Sequence, residues 1–194
     1  MESKYTKSDI EILIATMNRV NFDFLIPMFP FANYWDFSLV IVNQTVGIPL
    51  ISVHEKVKVI NSSEKGLSKS RNLALANATK ELLVITDDDV IFKPDFESNI
   101  TTAFNHFENP AMVRFCSEKT ENVLMQKYPK QRKQMINWLD ILNTISFEIV
   151  VKRTQIINKQ IHFDERFGLG SNFGAGEEQV FLSTIKKAGL NLCF

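Results

Sequence analysis

Residues 66–96 read GLSKSRNLALANATKELLVITDDDVIFKPDF. From Leu67 to Thr79, apolar or small residues fall at Leu67, Leu73, Leu75, Ala76 and Ala78, a helical spacing, with Gly66 and Ser68 at the N-terminal boundary. Glu81 to Thr86 (ELLVIT) is a short apolar run of buried-strand type, and it leads straight into Asp87-Asp88-Asp89. Pro94 then opens a second helix, to Phe107. Helix, buried strand, acidic turn and helix in succession make an α/β unit, in which the carboxyl end of the strand is the place for chemistry.

The flanking sequence extends the same alternation. Ile10 to Thr16 reads as a buried strand, Phe37 to Val42 (FSLVIV) as a second and Lys56 to Ile60 as a third. Phe22 to Phe29 is helix-like and is interrupted by Pro27 and Pro30. After the central unit, Ala111 to Cys116 reads as a strand, Pro129 to Leu142 as an amphipathic helix and Ile145 to Val151 as a strand. Gly168 to Gly176 has no period and reads as a loop, followed by a helix from Glu177 to Ala188 that Gly189 closes. The expected architecture is a mainly parallel sheet flanked by helices, in one domain over residues 1–194. The chain stops at Leu190-Asn191-Leu192-Cys193-Phe194, a strand just beginning, so the polypeptide is expected to extend further.

Composition removes several function classes. The chain has 194 residues, 45% of them hydrophobic, with 22 Lys+Arg against 22 Asp+Glu. A balanced charge lacks the basic surplus that phosphate neutralisation needs, which argues against a mainly nucleic-acid-binding role. No apolar run is long enough to span a bilayer, and Met1-Glu2-Ser3-Lys4 has no secretory apolar core. The two cysteines, Cys116 and Cys193, form no CxxC pair and read as buried thiols of a reducing compartment. A cytoplasmic protein is expected, with peripheral contact at the inner face of a membrane as an option. That option rests on Lys130, Arg132 and Lys133 beside Met135, Ile136 and Trp138. The simpler alternative is a core-packed helix with a solvated basic face.

Three constellations carry chemistry. Adjacent carboxylates at 87–89 repel one another unless donors or a hard cation meet them, and such cations bridge to diphosphates. A solvated acidic turn is the plain alternative, and the position directly after a buried strand counts against it. Arg71 stands in the first turns of a helix, where a guanidinium and the N-terminal amides both suit anions. Glu177 and Glu178 follow Gly174-Ala175-Gly176. Acidic residues there complement the helix dipole, and one of them can also act as general base toward a hydroxyl.

In their order along the chain, "ILIATMNR" (12–19), the 66–96 stretch and "FDERFGLGSNFGAGEEQVFLSTIKKAGL" (163–190) resemble the family 2 glycosyltransferases. These are inverting nucleotide-sugar enzymes of the GT-A fold. The resemblance runs over residues 10–194, most weakly over 117–160. It implies that Thr16 and Asn18 line the nucleotide pocket, that Asn43 stands where the family often places an Asp on the base, and that Arg71 reaches the nucleotide or its diphosphate. It implies that Asp87 contacts the ribose or base side and that Asp89 binds Mn²⁺ or Mg²⁺. Asp88 falls on the donor side, as a second ligand of the cation or only as a solvated residue. Glu178 matches the catalytic base and Glu177 the acidic residue that holds the acceptor, with Gly176 allowing close approach. Trp138 is a candidate to stack on an acceptor sugar. Relatives often carry a metal-binding His beyond the last helix, whereas His54, His106 and His162 all precede that region. The implied donor is a nucleoside-diphosphate sugar, UDP-linked, and the implied acceptor a glycan or lipid-linked saccharide. Two alternatives are a sugar nucleotidyltransferase, against which the glycine-free loop Ala15–Arg19 counts, and a non-catalytic glycan- or nucleotide-binding relative.

Overall fold

The computed structural model describes residues 4–120 and 122–194. In chain order the elements are β1 (Ile10–Met17), α1 (Leu25–Met28), β2 (Leu39–Gln44), β3 (Val57–Ser62), α2 (Leu67–Asn77), β4 (Leu82–Asp87) and α3 (Phe96–His106). There follow β5 (Pro110–Arg114), β6 (Glu118–Thr120), β7 (Val123–Leu124), α4 (Trp138–Leu142), β8 (Ile149–Lys152), α5 (Arg153–Asn158), α6 (Glu177–Lys187) and β9 (Asn191–Cys193). A seven-stranded sheet has the order β3-β2-β1-β4-β8-β5-β9. It is parallel except for β8, which runs antiparallel to both β4 and β5. This is the mixed α/β arrangement of the GT-A fold, as expected.

Alternation along the strands explains the two layers. Ile10, Ile12 and Ile14 of β1, with Leu82 and Val84 of β4, face one side and pack with Leu25 and Met28 of α1 and Ile100 and Phe104 of α3. Leu13, Leu83 and Ile85 face the other side, against Ala74 and Leu75 of α2 and Phe181, Leu182 and Ile185 of α6. Because β1, β2 and β4 are parallel and adjacent, their carboxyl ends come out together, and β1 ends beside β4 at the pairing Ala15–Asp87. A functional crevice of an open α/β sheet forms at such a place.

Several features differ from the sequence expectation. The helix expected over Pro129–Leu142 is confined to Trp138–Leu142, and the irregular segment before it runs along the edge of β9. There the Lys133 amide donates to the Phe194 carbonyl (2.7 Å), the Phe194 amide donates back to Lys133 (2.9 Å), and the Ile136 amide donates to Leu192 (2.8 Å). The open hydrogen-bonding edge of β9 outcompetes a marginal helix for those backbone groups, and Asn137 then caps α4 by accepting from the Asp140 amide. The strand expected from Ile145 begins only at Ile149, after a 3-10 turn over Ser146–Glu148. Cys116, expected buried, is exposed, because β5 ends at Arg114 and leaves it beyond the sheet. Cys193 is buried as expected, and burial pushes its thiol up to about 12.

The 3-10 turn exists to aim Glu148 inward. Its carboxylate meets Arg114 Nε at 2.7 Å, with the two side chains 0% and 2% exposed, and it also accepts from Ser117, Gln126 and Tyr128. Arg114 donates further to the carbonyls of Asp140 (3.0 Å) and Asn143 (2.8 Å). Removing one partner of such a pair leaves an uncompensated buried charge. Glu148→Ala is therefore expected to destabilise the chain by about 3–5 kcal/mol, read as a lower urea midpoint at unchanged slope. A loss under about 1 kcal/mol, the scale of solvated pairs, would show that water reaches the pair.

Candidate active site

The carboxyl ends of β1 and β4 carry a first polar group. Thr16 Oγ1 hydrogen-bonds to Asp88, and Arg19 meets the same carboxylate through Nη2 (2.7 Å) and Nε (3.0 Å). The Arg19 guanidinium also stands 5.0 Å over the Phe24 ring, and its side chain is 42% exposed. Asn18, in the left-handed region at φ 53°, turns the chain between β1 and Arg19. Asn43 is wholly buried. Its Oδ1 accepts from the Arg19 amide (3.0 Å), and its Nδ2 donates to the Arg19 carbonyl (2.9 Å) and to Asn61 (3.1 Å). The carboxamide expected on a base is thus committed to shaping the loop after β1.

A second group centres on Arg71, which is 3% exposed at the start of α2. Its Nη2 meets Asp87 (3.0 Å), and its Nη1 meets Glu178 (2.9 Å) and Glu177 (3.2 Å). Ser146 Oγ donates to the other oxygen of Asp87 at 2.8 Å. Three carboxylates from β4 and α6 therefore share one guanidinium. Burial pushes the Glu178 carboxyl above its ordinary range; Arg71 opposes the shift and Glu177 adds to it.

The loop before α6 sets this geometry. Gly168, at φ 99°, packs so closely that a Cβ would stand 3.2 Å from Glu177 Cδ and 3.2 Å from Ser68 Oγ. The loop is tied to the start of α2 by Ser68 Oγ donating to the Phe167 carbonyl (2.7 Å) and the Leu67 amide donating to Leu169 (2.9 Å). Gly176, also left-handed at φ 97°, then turns the chain into α6 so that Glu177 and Glu178 point at Arg71. Asp164, in the same loop, is paired with Arg166, which holds its carboxyl down at about 2.

Asp89 differs from its two neighbours. It is exposed, and its carboxylate has no hydrogen bond or ion pair among the described residues. It stands on the rim of a cleft of about 620 Å³ lined by Phe92, Phe96, Phe115 and Phe147, among others. Among the described residues no group of three His, Cys, Asp or Glu could hold a metal ion. One free carboxylate at a strand end fits a hard cation that takes its other ligands from a diphosphate and water.

The structure thus gathers Thr16, Asn18, Asp87, Asp88, Asp89, Arg71, Gly176, Glu177 and Glu178 at one end of the sheet. It does not bring Trp138 there. That ring lies under Lys186 Nζ (5.6 Å), in the last turn of α6, whereas Glu177 and Glu178 are in the first. Glu177 is 5% exposed and faces Arg71 and Gly168 rather than solvent. The sequence pattern singles out neither Arg19 nor Ser146. Arg19 had one hint, its place just after the first strand; Ser146 had none, being 59 residues from Asp87.

Residues 50–158 match the family described as Glycosyl transferase family 2. No curated protein matches the chain by sequence. Among solved structures, the chain is similar to S. aureus TarS 1-349 (TM-score 0.65, 16% identity), covering 95% of this chain and 57% of that one. TarS 1-349 has also been solved with UDP-GlcNAc, with a TM-score of 0.64 and 16% identity, covering 90% of this chain and 52% of that one. A third similar structure is the mannosyltransferase PcManGT from Pyrobaculum calidifontis, in complex with GDP-Man and Mn²⁺ (TM-score 0.59, 14% identity, covering 98% of this chain and 55% of that one). The chain therefore spans little more than half the length of these proteins.

Proposed function

The chain belongs to glycosyl transferase family 2, and on that premise we propose that it moves a sugar, with inversion, from a nucleoside-diphosphate donor to a hydroxyl of a glycan or lipid-linked saccharide. The observation that carries this reading is the meeting of Asp87, Glu177 and Glu178 on Arg71, at the same sheet end as the free carboxylate of Asp89.

Thr16, Asn18 and Asp88 form the donor side, with Arg19 as the partly exposed cation facing the phosphates. Asn43 supports that wall from behind. Asp87 orients the ribose side while Arg71 and Ser146 hold it. Asp89 would hold Mn²⁺ or Mg²⁺ together with the donor's own oxygens, and such a cation neutralises the leaving diphosphate. Glu178 accepts the acceptor's hydroxyl proton, and its raised affinity for protons brings it nearer to working pH than an ordinary carboxylate. The hydroxyl oxygen then bonds to the anomeric carbon as the bond to the diphosphate oxygen breaks on the opposite face. The cleft beside Asp89, walled by aromatic rings, gives sugar faces a partly apolar space. UDP is the preferred nucleotide of this reading, supported by the fold shared with TarS, which has been solved with UDP and UDP-GlcNAc.

A panel of UDP-, GDP- and other nucleotide sugars, scored for released nucleoside diphosphate with and without Mn²⁺, tests the proposal. Release from one donor class, raised by Mn²⁺ and by a saccharide acceptor, is expected. Binding of saccharides with no release from any donor would replace the enzyme by a glycan-binding relative.

No helix among the described residues is long and apolar enough to cross a membrane.

A further inference from the structure

On sequence, Arg71 reads as a contact to the nucleotide or its diphosphate. In the fold, both terminal nitrogens end on carboxylates, Nη1 on Glu178 (2.9 Å) and Glu177 (3.2 Å), Nη2 on Asp87 (3.0 Å). Its remaining nitrogen, Nε, is buried and has no partner, the one such side-chain atom among the described residues. The Phe163 ring lies 5.5 Å from the guanidinium and is itself stacked on Phe181 at 4.0 Å. The fork is therefore oriented by the carboxylates, at the expense of its own saturation. It cannot turn to an incoming phosphate without releasing Glu178 or Asp87.

The two sides of the fork are not equally dependent on it. Asp87 keeps a second donor, Ser146 Oγ at 2.8 Å. Glu178 has no other side-chain partner among the described residues. Its charged surroundings are Arg71 from α2 and Glu177 from its own helix, with Asp87 of β4 across the guanidinium.

We propose that Arg71 is a positioning residue that fixes the carboxylate of Glu178 relative to Asp87 and the donor end of the sheet, and that it touches neither donor nor acceptor. The proposal rests on the reading of Glu178 as the base. A lysine at 71 keeps the charge and loses the planar fork, so it can serve one carboxylate but not span the group. Misplacing a reacting group by about 1 Å costs on the order of 10²-fold in rate.

Arg71→Lys and Arg71→Met, each in the whole chain, test this through four measurements. These are the thermal midpoint, nucleoside diphosphate affinity with Mn²⁺ by calorimetry, the pH profile of transfer, and the titration of the Glu178 carboxyl by carbon-13 NMR without donor. For folded Arg71→Lys, kcat is expected to fall about 10- to 100-fold, with acceptor KM and nucleotide Kd within about 3-fold of wild type. Arg71→Met is expected to be slower still, and its Glu178 carboxyl and the acid limb of its profile move to higher pH, since an opposite charge has been removed. If Arg71→Met does not fold, Arg71→Lys carries the kinetic test and the smaller shift of the same titration. A nucleotide Kd that rises in step with the loss of transfer would make Arg71 a donor contact and overturn the proposal, as would folded Arg71→Lys with wild-type kcat. If the wild type transfers from no donor, the proposed function has failed separately. An unmoved Glu178 titration in the folded variants would then overturn the positioning role as well.

Discussion

Glu178→Gln is expected to lower sugar transfer by about 10²-fold or more while leaving nucleoside diphosphate affinity near the wild-type value. The substitution keeps the side chain's volume and leaves an amide oxygen that can still accept from Arg71 Nη1, the contact now made at 2.9 Å. It removes only the capacity to take up a proton. The pH profile supplies a second readout. Burial raises the folded-state pKa of Glu178, so the proton-accepting form is lost on acidification at a higher pH than for an ordinary glutamate. In the wild type, transfer therefore falls on the acid side through that raised pKa; in Glu178→Gln the residual rate loses this limb. Initial rates across pH, with the nucleotide affinity of each protein measured alongside, give both quantities. Wild-type transfer by Glu178→Gln would move the base elsewhere. Glu165 would be the next residue to test, because Asp164 is already paired with Arg166.

Asp89→Asn is expected to abolish the part of nucleoside diphosphate affinity that depends on Mn²⁺ and to leave the fold intact. The carboxylate is exposed and has no partner within the described residues, so its loss creates no cavity and no orphaned charge. Asp87 and Asp88 cannot easily substitute, since each is already engaged by a guanidinium, Arg71 at 3.0 Å and Arg19 at 2.7 Å. Calorimetric titration with and without Mn²⁺ separates the cation-dependent component from the rest. An unchanged Mn²⁺-dependent affinity would remove Asp89 from the metal site, and an unchanged thermal midpoint would show that the result is not one of folding.

The Arg71 cluster joins these two expectations. Asp87 lies next to the donor-side Asp88 and two residues from Asp89, and Arg71 links it to Glu178 from the far end of the chain.

Much of the fold was legible because its rules are local. ELLVIT and IEILIAT are short, apolar and β-branched, which marks them as buried strands; their alternation puts Ile12 and Leu13, or Val84 and Ile85, on opposite faces, and the register Ile12–Val84 and Leu13–Ile85 then assigns the layers. The order of strands and helices implied a mainly parallel sheet; that β1 lies beside β4, so that Thr16 meets Asp88, came only from the fold. The glycines before Glu177 marked a turn into a helix, and φ 97° at Gly176 is the conformation such a turn needs.

What was decided only in three dimensions is who partners whom. The charge and type of Arg71 are local facts, but the choice between a phosphate and three carboxylates depends on residues 16, 106 and 107 positions away. Asn43 looked available to a ligand until the chain folded its amide onto Arg19 and Asn61. The segment before Trp138 had a helical pattern, and the bare edge of β9 took its backbone instead. Periodicity and turn chemistry act over a few residues and so are written in the sequence. A hydrogen bond or ion pair between distant residues is selected by which alternatives remain unmet after the layers have packed, and only the tertiary structure supplies that.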